Sequence, residues 1–161
     1  MRILYCLDGT NVKQITQART MLVASETPTL GLLHVIDSGP REDIGRARER
    51  FLRKPGPPPG REEEIRRTEM ASAREILEEG LQHLPGAEIL ERQGRPEREI
   101  VNGAAEWGAD LLIICARAQY GDRPSLGPKS VGHVARFVLD HAPCPVLLVR
   151  PVAREQFPIA K

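Results

Sequence analysis

The sequence predicts a three-layer, doubly wound α/β domain on a five-stranded parallel sheet, and three observations carry the prediction. Five short segments rich in Leu, Ile and Val have strand length and recur along the chain. Segments with helical spacing of apolar residues lie between them. One strand, Leu111 to Cys115, opens Leu111 Leu112 Ile113 Ile114 without a polar position, as in a strand covered on both faces. Strict alternation of the two kinds of segment implies right-handed crossovers, with helices on both faces of the sheet.

Each element has its own signal. The first strand, Ile3 to Leu7, runs into Asp8 Gly9 Thr10, and a helix from Asn11 to Ser25 follows with Val12, Ile15, Ala18 and Leu22 on one stripe. The second strand is Leu30 to Ile36. Glu62 to Leu84 is the clearest helix: Met70, Ala73, Leu77, Leu81 and Leu84 are spaced by 3, 4, 4 and 3, opposite a face of Glu and Arg. Ala87 to Gln93 alternates, Ile89, Glu91 and Gln93 against Leu90 and Arg92, which marks a sheet edge. Pro96 suits the first turn of a helix reaching Trp107, and Gly108 suits its C-terminal stop. After Leu111 to Cys115, Ser130 is placed to cap a fourth helix through Leu139, with Val131, Val134 and Val138 as its stripe. Pro143 and Pro145 end that helix, and Val146 to Val149 is the fifth strand.

Two stretches stand outside the pattern. Residues 39–60 hold Arg41, Arg46, Arg48, Arg50, Arg53 and Lys54 before Pro55 Gly56 Pro57 Pro58 Pro59 Gly60. They read as a basic, Pro-rich insertion, either solvated surface or a segment that approaches phosphate. Residues 152–161 read as a loosely held tail, so 1–151 are expected to form one domain.

The chain has 161 residues, 40% apolar and 28% charged, which excludes wholesale disorder. No apolar run approaches the ~18 residues of a spanning helix. Twenty-three Lys and Arg against 22 Asp and Glu give a net charge of +1, so neither nucleic acid nor a membrane is expected as a partner. The amino-terminal segment lacks a secretory pattern, and a cytoplasmic location is expected. Cys6, Cys115 and Cys144 form no disulfide framework or metal pair, and read as reduced thiols behaving as small hydrophobes.

In a doubly wound sheet the ligand crevice lies at the carboxyl ends of the strands. That selects Asp8 to Asn11, Asp37, Gln93 to Pro96 and Ala116 to Lys129. Asp8 places a carboxylate at the mouth, Gly9 permits close approach and Thr10 offers a hydroxyl able to cap the next helix; the same three residues also read as a helix start alone. His34, His83, His133 and His141 have no metal spacing, though His133 stands where an anion would meet a helix's positive end. Gly127 Pro128 Lys129 Ser130 is not a Walker loop, since Pro128 separates Gly from Lys and lacks an amide hydrogen. Gln93 and Arg150 stand where a receiver domain needs Asp and Lys. No nucleophile elbow and no paired base and nucleophile occur, so no enzyme activity is expected.

Leu7 Asp8 Gly9 Thr10, Leu33 His34 Val35, Gly94 Arg95 Pro96, Gly108 Ala109 Asp110 Leu111 and His141 Ala142 Pro143 Cys144 Pro145 Val146 resemble the universal stress protein family in order and spacing, over nearly the whole chain. The resemblance implies a Rossmann-like sheet of order 3-2-1-4-5, a homodimer through the fifth strand, adenine-nucleotide binding, and a role in stress tolerance without catalysis. The family's loop, G-x2-G-x9-G-[ST], aligns with Cys115, Ala118, Gly132 and His133, so only Gly132 keeps the pattern. Thirteen residues, Gln119 to Val131, stand where the pattern has nine. Asp8 and Val35 match the family's base and ribose positions, and Arg117, Arg123 and Lys129 in the longer loop are available to phosphate. The resemblance thus implies a regulatory or protective module with weak or lost ATP binding and no firm cofactor. The alternative is a true ATP-binding switch, with Mg²⁺ following the triphosphate.

Overall fold

The computed structural model describes residues 1–22, 27–38, 60–116 and 131–150. The insertion as far as residue 59, the tail from 152, and Arg117, Ala118, Arg123, Lys129 and Ser130 lie outside the described residues. The chain forms β1 (Arg2–Leu7), α1 (Val12–Gln17) continuing into a 3-10 turn (Ala18–Met21), β2 (Thr29–Asp37), α2 (Arg61–His83), β3 (Glu88–Gly94), α3 (Pro96–Trp107), β4 (Leu111–Cys115), α4 (His133–His141) and β5 (Val146–Val149). All pairings are parallel and the strand order is β3-β2-β1-β4-β5, as expected. No helix among the described residues is long and apolar enough to cross a membrane.

Alternation along β1 builds two cores. Ile3, Tyr5 and Leu7 face one side with Ile15 of α1, Leu77 of α2, Leu32 and Ile113. Leu4 and Cys6 face the other with Ile100 and Ala104 of α3, Ala135 and Val138 of α4, Leu112 and Ile114. Gly80 lets α2 approach the sheet closely, since a Cβ there would stand 2.7 Å from Leu7 Cδ1. Arg92 of β3 joins Glu99 at 3.2 Å and Glu106, pinning α3 against the sheet edge.

Three details differ from the sequence reading. The first helix tightens to 3-10 geometry at Ala18, a common way for a short helix to end, while Ala18 itself stays buried. Met70 is exposed, because α2 reaches the core only from Ala73 onward. The fourth helix starts at His133 with Gly132, in place of Ser130, as its N-cap: Gly132, at φ 81° and ψ 159°, has a conformation no helical residue adopts.

Candidate functional site

In this strand order the chain reverses direction across the sheet between β1 and β4, so the carboxyl ends of those strands splay open. The turn after β1 is shaped by its own side chains. Asp8 Oδ1 accepts hydrogen bonds from the Thr10 N–H at 2.8 Å and the Thr10 hydroxyl at 2.9 Å, forming an Asx turn. Gly9 sits at φ 85°, where a Cβ would meet Ile76 Cδ1 at 2.8 Å, so this turn lies directly against α2. The expected Thr10 cap falls one residue too early: the Asn11 carbonyl accepts the first helical bond, from Ile15 at 2.9 Å, and the Thr10 hydroxyl closes the turn instead.

Asn11 is the buried polar residue beneath the turn. Its Oδ1 accepts the Asp8 N–H at 3.1 Å and its Nδ2 donates to the Cys6 carbonyl at 3.2 Å. Both groups of the side-chain amide are thereby engaged, and the Asp8 backbone is held at the strand end while Thr10 holds its carboxylate.

A cavity of about 380 Å³ opens over these strand ends. Asp8, Val35, Cys115, Gly132 and His133 all line it, as do Asp37 and Pro96 from the loops that the crevice rule selects. Gly9 and Thr10 form the adjoining turn and are not among its lining residues, and Ala118 lies outside the described residues. Leu33, Ile100 and Ile114 add apolar walls.

Of two further lining residues, Asn11 lies in the stretch that the crevice rule selects, though its role there is not visible in the sequence, and His34 lies outside it. Asn11 reads as an ordinary helix start, and His34 as a strand residue. Pairing Leu7 with His34 in adjacent strands brings the ring to the cavity, with Nδ1 2.8 Å from the Leu7 carbonyl. A carbonyl only accepts, so Nδ1 carries the hydrogen and Nε2 is the ring's remaining nitrogen. The signal that finds His34 is its position beside Val35 at the carboxyl end of a strand next to β1.

Burial holds the Cys6 and Cys115 thiols in their protonated form. Burial, with the nearby Asp8 carboxylate, pushes the Cys115 thiol up to about 11. Burial pushes the Cys6 thiol up as well, with Cys144 adding to the effect. Both stay protonated near neutral pH, and a protonated thiol is a poor nucleophile. At the other wall, His133 Nε2 lies 3.9 Å from Glu97 Oε2, an ion pair when the imidazole is protonated. Among the described residues no three His, Cys, Asp or Glu gather as metal ligands.

A family model described as the universal stress protein family matches residues 1–150. The chain is similar in fold to universal stress protein UspA from Lactobacillus plantarum, with 21% identity, 93% of this chain and 97% of that one covered, and a TM-score of 0.64. It is also similar to a universal stress protein family protein from Arabidopsis thaliana solved with AMP bound, with 15% identity, coverage of 99% and 96%, and a TM-score of 0.60. A universal stress protein in complex with cAMP is 18% identical, with coverage of 92% and 95% and a TM-score of 0.53. At such identities the likeness is one of fold. Among curated proteins no sequence matches the chain.

Proposed function

The chain belongs to the universal stress protein family, and on that premise we propose that it is a non-catalytic, homodimeric regulatory or protective module of the stress response. Its cavity takes an adenine nucleoside or nucleotide and holds ATP weakly or not at all. The observation that carries this reading is the cavity at the β1/β4 divide, with apolar walls for a base and the Asp8 carboxylate, fixed by Thr10, for ribose hydroxyls. Asp8 and Val35 hold the nucleoside, and Gly9 and Thr10 shape the turn beneath it. Cys115, Gly132 and His133 stand at the phosphate end, together with Ala118 outside the described residues. Two solved relatives in fold carry AMP and cAMP, which supports the ligand class. No residue is given a catalytic role.

The runner-up, a true ATP-binding switch, is favoured among the described residues by Gly132. Its φ of 81° keeps a side-chain-free amide turn at the start of α4, a geometry that suits a phosphate oxygen. Mg²⁺ would arrive with the triphosphate. Thermal-shift titration separates the two: ligand at 100 times its Kd adds about 2.7 kcal/mol of stability. Stabilisation by adenosine or AMP with none by millimolar Mg-ATP supports the first reading, and saturating stabilisation by Mg-ATP supports the second.

The dimer rests on β5. Its four residues are half-buried, Leu147 and Val149 toward one core and Val146 and Leu148 toward the other, and β5 pairs with β4 along one side. A second copy on the other side would satisfy the backbone edge that the described residues leave open. Sedimentation at micromolar concentration should give twice the chain's mass.

A further inference from the structure

We propose that Glu97 and His133 make this cavity select adenine nucleosides and nucleoside monophosphates over triphosphates, an inference that rests on the cavity being a nucleotide site. His133 is the first residue of α4, where unpaired amides make a positive end suited to phosphate. The protein already supplies an anion there. Glu97, in the first turn of α3, points its carboxylate to within 3.9 Å of His133 Nε2, and its side chain is only 16% exposed. Glu97 does not itself line the cavity, but through His133, which does and whose side chain is 82% exposed, its mostly buried carboxylate stands beside the α4 end of the cavity.

The lining of the cavity adds to this neighbouring charge. Asp8 and Asp37 line it, and among its described lining residues none is Lys or Arg. The apolar walls attract the base of any adenine ligand equally, so they do not discriminate. Discrimination arises at the phosphate end, where each added phosphate brings more negative charge toward Glu97 and the two aspartates. The cavity volume, about 380 Å³, is also near the small end of ligand sites. Among the described residues, charge, more than the bulk of the imidazole, is thus what disfavours a triphosphate.

Isothermal titration of the full chain with adenosine, AMP and Mg-ATP tests this, using wild type, Glu97→Gln, His133→Ser and the double variant. The wild type should bind adenosine and AMP about tenfold or more tightly than Mg-ATP. Glu97→Gln should tighten Mg-ATP about tenfold while adenosine stays within about twofold. His133→Ser alone should not tighten Mg-ATP, because it leaves the Glu97 charge without its imidazole neighbour; the double variant should match or exceed Glu97→Gln. On the wild type itself, raising ionic strength should narrow the gap between AMP and ATP, which reads the same repulsion without any substitution. Mg-ATP tightened by His133→Ser and not by Glu97→Gln would make bulk the cause and overturn the proposal. Wild-type Mg-ATP as tight as AMP, or a gap that widens with salt, overturns it while leaving the nucleotide reading intact. No binding of any of the three ligands overturns both.

Discussion

Asn11, 3% exposed, accepts the backbone N–H of Asp8 at 3.1 Å. Through the same amide it donates to the Cys6 carbonyl, so a single buried side chain ties the end of β1 to the start of α1. Asn11→Ala leaves both backbone groups without their partner and should cost about 2 kcal/mol, read from urea denaturation. Adenosine affinity should fall with it, because the Asp8 turn loses its anchor.

Gly132 precedes α4 at φ 81° and ψ 159°, a region that only glycine occupies without strain. Gly132→Ala should lower unfolding free energy by about 1–3 kcal/mol, and Gly132→Asn should do no better, since Asn tolerates the left-handed helical region but not this one. Chemical denaturation of the two variants beside wild type checks both statements.

Tyr5 is fully buried, and its hydroxyl has no hydrogen-bond partner among the described residues. Such a group carries a desolvation cost that its removal relieves. Tyr5→Phe should therefore raise stability, by about 1 kcal/mol, with an unchanged denaturant slope.

Stability should fall at alkaline pH. The Cys115 thiol titrates at 9.0 in its ordinary state and at about 11 in the fold, through burial first and the Asp8 carboxylate second. Between those values the folded chain holds the proton more firmly, so the stabilisation is complete below 9.0 and is lost as pH rises through about 11. Burial shifts Cys6 and Tyr5 in the same direction, Arg19 opposing it at Tyr5. Urea midpoints should drop between about pH 9 and about pH 11, and Cys115→Ala should drop less than wild type.

Much of this fold is legible in the sequence because its signals are local. Leu111 to Ile114 announces a strand buried on both faces, and Gly108 takes the left-handed conformation, φ 69°, that ends α3. The edge position of β3 is visible in its alternation. What escapes depends on contacts distant in sequence or on backbone angles. His34 becomes a cavity residue only through its register with Leu7, and Asn11, within the stretch that the crevice rule selects, shows its anchoring role only because its amide turns back to Asp8 and Cys6. Periodicity extends the stripe of α2 to Met70, yet the helix outruns the sheet there, and periodicity carries no information on where a neighbour ends. Ser130 has the chemistry of a cap, but Gly132 has the backbone for one.

The central claim is that an adenine nucleoside occupies the cavity between the ends of β1 and β4. Backbone amide chemical shifts of the full chain, followed while adenosine is titrated to millimolar concentration, test it most directly. The account predicts saturable shifts at Asp8, Val35, Cys115 and Gly132, all with one Kd. Shifts that saturate only at residues away from the cavity, or none at all, contradict it.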